Sequence, residues 1–227
     1  TGGTLLFRDD NDGLRHTENL LPVIDAFLKE SGYTEPPDGI AVSRGPGSFT
    51  GLRIGMATAK ALGLAWNRPV VSIDTLHGLA LTEALARERQ VRYHGARESV
   101  TVVPVLDARK SRYYTAVFLY VPEPTGSPFV QLTRQRENLD ISLSGVMEIL
   151  QNSDRVVLPG FAVSEMTAPD NVDDAAVVKA SGAPGIATLG LEALGEGQRD
   201  DPYQGPNYLR DEDIGTRKKG PLFTEDT

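Results

Sequence analysis

The sequence contains no cysteine, and this absence excludes several kinds of chemistry at once. Disulfide bonds, thiolate metal sites and cysteine nucleophiles are all excluded. No apolar run approaches the roughly 20 residues that span a bilayer, and the N-terminal residues lack the basic, apolar and small-residue succession of a secretory signal. Together these absences predict a protein of the reducing cytoplasm.

Positive charge is also scarce. The 31 acidic residues outnumber the 23 lysines and arginines, which gives a net charge of −8 over 227 residues. A chain with this balance repels polyphosphate and gains little from releasing counterions, so we expect it not to bind RNA by itself. The basic cluster at residues 217–219 lies close to Glu225 and Asp226, and this setting favours a solvated tail over an RNA contact.

Residue patterns typical of hydrolases are missing. His16, His77 and His94 stand too far apart for the paired-histidine motif of zinc hydrolases. Ser48 lacks the glycines two residues before and after it that a nucleophile elbow needs, and a helix N-cap explains it better. Asp107 ends a predicted strand, but it also begins a turn and is expected to cap it.

What the chain does contain is an alternation of short apolar strands and helical stretches. Strands are predicted at residues 40–43 and 69–73, and helices at residues 49–66 and 76–89. The second of these helices begins at a capping residue, Asp74 or the threonine after it. Strand, helix, strand and helix in this order predict an α/β layer structure.

A strand at residues 4–7 and a helix at residues 18–31 precede this unit. Apolar residues recur at helical spacing in the helix, and Gly32 closes it. Proline is acceptable only near a first turn, so Pro22 predicts that the regular helix begins within residues 18–21.

A polar segment at residues 87–98 separates this first unit from a second one. We therefore predict a first lobe at residues 1–98 and a second lobe with a tail at residues 99–227. The second lobe is predicted to contain, in order, three strands, a helix, a strand and a weak helix, at residues 102–106, 113–121, 129–133, 141–150, 155–160 and 185–194.

The glycine-rich segment RGPGSFTG at residues 44–51 is the most informative part of the sequence. A loop of this kind ahead of a helix can hold an anion, because free backbone N–H groups and the helix dipole point at it. The lysine of a P-loop is absent, and a tight turn between strand and helix explains the glycines as well. Both interpretations stay open, and the residues of an anion or nucleotide loop would be Gly45, Gly47, Ser48, Thr50 and Gly51.

Small residues recur four positions apart along the helix that follows. Gly51, Gly55, Ala59 and Gly63 form one ridge on its surface. Glycine costs about 1 kcal/mol relative to alanine inside a helix, so we expect another backbone to approach this ridge closely. The ridge faces either a partner helix or the sheet of its own lobe.

The run RGPGSFTGLRIGMATAKALGLA at residues 44–65 strongly resembles the signature of the bacterial TsaB (YeaZ) family. Other pieces resemble the same family in the same order, and these are HTENLLP at residues 16–22, VSIDTL at residues 71–76, DAR at residues 107–109 and YLR at residues 208–210. The resemblance is firm over residues 14–120 and thin over residues 121–205.

Resemblance to this family implies an α/β fold of two ribonuclease H-like lobes of the actin, sugar-kinase and Hsp70 (ASKHA) type, here with a first lobe that lacks its opening strands. It implies a non-catalytic scaffold that binds the catalytic paralogue TsaD and supports recruitment of the ATPase TsaE, in adding threonylcarbamoyl to tRNA adenosine. We expect no cofactor of the chain's own, ATP or ADP only at the partner interface, a homodimer when the chain is alone, and tRNA contact only through the complex.

The family's partner interface is a helix bundle, which corresponds here to residues 18–31 and 49–66. The resemblance therefore implies a set of partner-binding residues, namely His16, Asn19, Leu20, Val23, Phe49, Leu52, Arg53, Gly55, Met56 and Ala59. The paralogue holds a metal through a paired-histidine motif, and His16 alone stands at the corresponding helix start. We therefore expect neither a metal site nor a catalytic residue.

Other classes of function remain open. An ATP-dependent kinase-like enzyme of the same fold needs phosphate loops in both lobes, and the sequence offers only residues 45–51 and a doubtful turn at residues 158–160. A peptidase needs a triad or a metal motif, and neither is present. A purely self-associating structural protein would use the same helix pair, and co-purification of a TsaD-like partner would distinguish it.

Overall fold

A computed structural model describes residues 16–94, 98–122, 130–154, 156–160, 169–172 and 181–209. The predicted strand at residues 4–7 and the basic cluster at residues 217–219 lie outside these ranges, as do the side chains of His16 and Asn19. In the part of the chain that is described, no helix combines the length and apolar character needed to cross a membrane.

Helices and strands alternate up to residue 94, and four consecutive strands follow before the next helix. In chain order they are α1 (His16–Glu30), β1 (Ile40–Gly45), α2 (Phe49–Trp66), β2 (Val70–Asp74), α3 (Thr75–His94), β3 (Val100–Val102), β4 (Val105–Asp107), β5 (Arg112–Val121), β6 (Gln131–Ser142), α4 (Leu143–Gln151), β7 (Val156–Val157) and α5 (Ala183–Gly195). The predicted bounds of α2 are confirmed at both ends.

Strands β1 and β2 pair in parallel and carry helices on both faces. Neighbouring residues of a strand point to opposite faces of its sheet. An added Cβ on Gly55 of α2 would contact Val42 at 3.8 Å, whereas the position of a Cβ on Gly190 of α5 is taken by Ala41. Helices α2 and α5 therefore cover opposite faces of this sheet, which makes the first lobe a three-layer structure.

The second sheet is mixed. Strands β3 and β4 pair antiparallel with one edge of β5, β6 pairs antiparallel with its other edge, and β7 pairs in parallel with β3. Helix α3 packs on one face of this sheet, where its leucines and alanines meet Phe118 and Tyr120. Helix α4 packs on the opposite face against Val117 and Val105. The two apolar cores of this lobe are thus separated by the sheet itself.

Two helices pack against the lobe on the other side of the division predicted after residue 98. Helix α3 precedes that point but shares the core of the second sheet. Helix α5 follows it but lies against α3, β1 and β2 of the first lobe. Helix α5, which lies within the residues predicted as the second lobe and its tail, thus packs against the first sheet, and its glycines allow this close approach.

A polar network joins the two lobes at the end of β2. The buried Asp74 accepts a hydrogen bond from the backbone N–H of His77 at 2.9 Å, which confirms its predicted role as a helix cap. Its carboxylate also lies 3.4 Å from Nη2 of Arg134 and accepts a hydrogen bond from the amide of Asn138, both on β6. The Arg134 guanidinium stands 4.6 Å above the ring of Phe118, which stacks against the His77 ring at 5.2 Å.

Several predicted element bounds are wrong. The single strand predicted at residues 102–106 is two strands, β3 and β4, and the helix predicted at residues 76–89 continues to residue 94 in α3. Helix α1 begins at His16 and contains Pro22, because a proline removes one backbone hydrogen bond while the remaining turns continue. Of the strand predicted at residues 129–133, residues 131–133 form the beginning of β6, which continues to Ser142. Its polar residues hide the strand pattern, and charged residues of this kind are typical of an edge strand.

Replacement of Gly185 by alanine is expected to destabilise the folded chain by about 1–3 kcal/mol. The added methyl group would overlap the carbonyl of Gly78 and the backbone N–H of Thr82, so α3 and α5 would have to move apart. The measurement is the free energy of unfolding in urea. Gly195→Ala is the matched control in the same helix, because no atom lies within 4 Å of the added Cβ. Equal effects of the two substitutions would contradict the close packing of α3 and α5.

The free energy of unfolding is expected to decrease as the pH is lowered, and part of this decrease is expected to come from His77. Burial and the Arg134 guanidinium lower the pKa of His77 below its ordinary value, and the Asp74 carboxylate opposes them. As the pH is lowered, His77 therefore becomes protonated in the unfolded chain at a higher pH than in the folded chain. The contribution of neutral His77 to folding stability is fully present above the ordinary histidine pKa and is lost as the pH falls below it. We expect His77→Gln to reduce the pH dependence of the unfolding free energy between about pH 7 and pH 5, measured by urea denaturation. Parallel curves for both proteins would contradict this.

Candidate functional site

The signature segment begins with a tight turn between β1 and α2. Gly45 has a φ of 111°, a conformation that favours glycine, and the peptide bond to Pro46 is cis. The hydroxyl of Ser48 accepts a hydrogen bond from the N–H of Gly51 at 3.3 Å. The carbonyl of Ser48 accepts another from the N–H of Leu52 at 2.8 Å. The predicted N-cap role of Ser48 is therefore confirmed.

Part of this turn is covered by a distant piece of the chain. The N–H of Asn207 donates to the carbonyl of Arg44 at 2.7 Å, and an added Cβ on Gly45 would lie 2.5 Å from the Asn207 carbonyl oxygen. This close backbone approach explains the glycine at position 45 without an anion. Ser48, Thr50 and Gly51 are exposed and Gly47 is half-buried, and the anion or nucleotide loop that these residues would form with Gly45 stays a prediction.

The ridge of small residues on α2 faces the sheet of its own lobe. A Cβ on Gly55 would contact Val42, and one on Gly63 would lie 2.5 Å from Val70. Leu52, Met56 and Ala59, which lie along the same side of the helix, are buried. Of the two orientations that the sequence left open, the structure therefore shows the inward one.

This orientation separates the predicted partner-binding residues into two groups. Leu52, Met56 and Ala59 are buried within the chain, and Gly55 is half-buried over β1. Arg53 is exposed, and the remaining members that the structure describes are half-buried, namely Leu20, Val23 and Phe49. A partner-binding role for each of them stays a prediction.

The outer face of α2 carries a stripe that sequence reasoning did not single out. Ala57, Ala61, Leu64 and Ala65 are exposed along one side of the helix, and Leu64 is 86% exposed. Helix α1 lies beside α2 and exposes Leu21 by 54%. The spacing of these residues could have revealed the stripe, because they repeat with the helical period on the side opposite the glycines.

Asp107 has the predicted structural role. Its carboxylate accepts a hydrogen bond from the N–H of Arg109 at 2.6 Å, in the turn between β4 and β5. Arg109, Lys110 and Ser111 all have positive φ angles in this turn. Positive φ angles are uncommon in residues other than glycine, so this turn needs stabilisation. The hydrogen bond of the Asp107 side chain at the start of the turn provides it.

Comparisons with known proteins agree with this geometry. A family model described as "TsaD: tRNA N6-adenosine threonylcarbamoyltransferase" matches residues 13–135. The TsaB protein of Haemophilus influenzae, whose name describes tRNA threonylcarbamoyladenosine biosynthesis, is 34% identical over 123 residues, which are 54% of this chain and 47% of that protein. The TsaB protein of Escherichia coli is 34% identical over 104 residues, or 45% of this chain and 41% of that protein. The chain thus spans about half the length of these relatives.

A solved structure extends the likeness to most of the chain. The YeaZ protein of Pseudomonas aeruginosa superposes with a TM-score of 0.60 and 25% sequence identity, covering 86% of this chain and 85% of that protein. The mixed sheet, the helices on both faces of each sheet and this superposition together confirm the predicted ASKHA-type fold. The chain belongs to the family that the TsaD model describes, and within it to the TsaB (YeaZ) group.

Proposed function

We propose that this chain takes part in the biosynthesis of tRNA threonylcarbamoyladenosine as a non-catalytic partner subunit. The observation that carries the proposal is the exposed stripe of Ala57, Ala61, Leu64 and Ala65 on α2, within the segment that most resembles the TsaB family. Apolar side chains that stay exposed in a row are typical of an interaction surface. The named activity of the family model belongs to its transferase members, and our proposal assigns this chain the supporting role.

The partner that this surface fits best is a TsaD-like paralogue. Alanines along an exposed helix allow a second helix to approach closely, and the large side chains of Leu64 and Leu21 can act as apolar anchors at an interface. A paralogue of the same fold presents corresponding helices. We further propose that the isolated chain forms a homodimer through this face, since the same stripe is then available to a second copy.

We extend the proposal to the remaining parts of the assembly, and family membership is what supports this extension. A TsaE-like ATPase would join the complex of this chain with the paralogue, and tRNA would bind to the complex and not to the chain alone. ATP or ADP would bind at the partner interface, near the exposed start of α2 at Ser48 and Thr50. The net charge of −8 supports indirect contact with tRNA.

Ala61→Arg is expected to weaken binding of the purified full chain to a TsaD-like protein by more than about tenfold, because a large charged side chain would be buried unpaired at the interface. Isothermal titration calorimetry measures the dissociation constant. Because Ala61 is exposed in the single chain, the melting temperature is expected to stay unchanged when it is measured at a concentration where the chain is monomeric.

The matched control for this experiment is Ala187→Arg, an identical change at an exposed position of α5. Helix α5 lies on the opposite face of the first sheet, so the control variant is expected to bind as the wild type does. A wild-type chain that fails to bind would contradict the partner role. Equal losses in both variants would contradict the placement of the interface on α2.

A further inference from the structure

The segment at residues 200–209, which we name the strap, crosses the first lobe and is attached to both of its strands. The N–H of Asp200 donates to the carbonyl of Val70 at 2.9 Å, and its carboxylate accepts from the N–H of Ser72 at 3.1 Å. Further along, Asn207 donates to the carbonyl of Arg44 at the end of β1. Both ends of the strap are therefore fixed to backbone groups of the sheet.

The middle of the strap is attached to α2 through one lysine. The ammonium group of Lys60 donates to the carbonyls of Asp201 at 3.2 Å and Pro202 at 2.8 Å, and also to the carbonyl of Gln204. A lysine ammonium has three donors, so these three acceptors can satisfy it fully. This arrangement holds the strap against the helix that carries the proposed partner surface.

The end of the strap contacts two residues for which the sequence predicted partner binding. The hydroxyl of Tyr208 accepts a hydrogen bond from Nε of Arg53 at 3.0 Å, and its ring lies 4.8 Å from the ring of Phe49. The Arg53 guanidinium in turn stands 3.6 Å above the Phe49 ring. The three side chains thus form one cluster, with Arg53 held between a ring and a hydroxyl group.

We propose that Tyr208 is a positioning residue for the partner interface, and that it acts through Arg53. This inference rests on the proposed function. An exposed arginine loses side-chain freedom when a partner binds it, and each such loss weakens binding. Because Tyr208 and Phe49 already hold Arg53 in one orientation, the partner meets a preorganised surface. The strap therefore contributes to affinity without itself having to touch the partner.

The test is a double-mutant cycle on binding to the TsaD-like protein, measured by calorimetry with the full chain. Tyr208→Phe keeps the ring on Phe49 and removes the hydroxyl that Arg53 needs. We expect it to weaken binding about three- to tenfold in the wild-type background. In the Arg53→Ala background it is expected to have no further effect, because residues that act through one another are not additive.

Tyr203→Phe is the matched control, because it makes the same chemical change on the same strap at a side chain that is 96% exposed. It is expected to leave affinity unchanged. An equal loss in this control would overturn the positioning role, and so would an additive cycle, since both would show that Tyr208 acts independently of Arg53.

Hydrogen exchange on the isolated chain distinguishes failure of this inference from failure of the proposed function. If the strap is seated as described, the amide of Asn207 is protected in the wild type and loses protection in Tyr208→Ala but not in Tyr203→Ala. Absence of wild-type binding with intact protection would overturn the proposed function and the positioning role together. Wild-type binding with an unaffected Tyr208→Phe variant would overturn the positioning role alone.

Discussion

The close approach of helices α2 and α5 to strands β1 and β2 of the first lobe is the constraint on which the rest of the structure depends. Gly63 brings α2 against Val70, and Gly190 brings α5 against Ala41 on the other face. Side chains at either glycine would push the helices away from the strands. Strands β1 and β2 are short, and close approach of the helices increases the dispersion contacts that each strand residue makes.

The same constraint determines which surfaces are available for function. Because Gly55, Ala59 and Gly63 of the ridge face the sheet, the outer side of the helix is the side that is left open to a partner. The outer stripe is apolar but built mostly of alanine, so it costs little when exposed to water and still allows a second helix to pack closely. Under the proposed function, the inward glycines and the outward alanines therefore serve two different contacts on one helix.

Local signals in the sequence predicted much of the first lobe. They predicted little about α5 and residues 200–209, which come late in the chain and pack against that lobe. The bounds of α2 and the capping roles of Ser48 and Asp74 follow from side-chain chemistry within a few residues, and all three are confirmed. Glycine has a low helix propensity, so the glycines of α5 predicted only a weak helix. The sequence could not show why they are there, because the backbone that they approach lies about a hundred residues earlier in the chain, at positions such as Gly78. The contact of Tyr208 with Arg53 joins residues 155 positions apart in the chain, so no local pattern could place it.

The polar network at Asp74 bears on how the two lobes can move. Enzymes with two lobes commonly close around a substrate, and that motion needs a junction whose contacts can be released. Here the Asp74 carboxylate is buried and is shared between the start of α3 and two residues of β6, Arg134 and Asn138. Opening the junction would leave a buried charge without its partners, which is costly. A junction that resists opening keeps the position of α2 relative to the second lobe constant. This agrees with the proposal of a scaffold that presents a fixed surface to a catalytic paralogue.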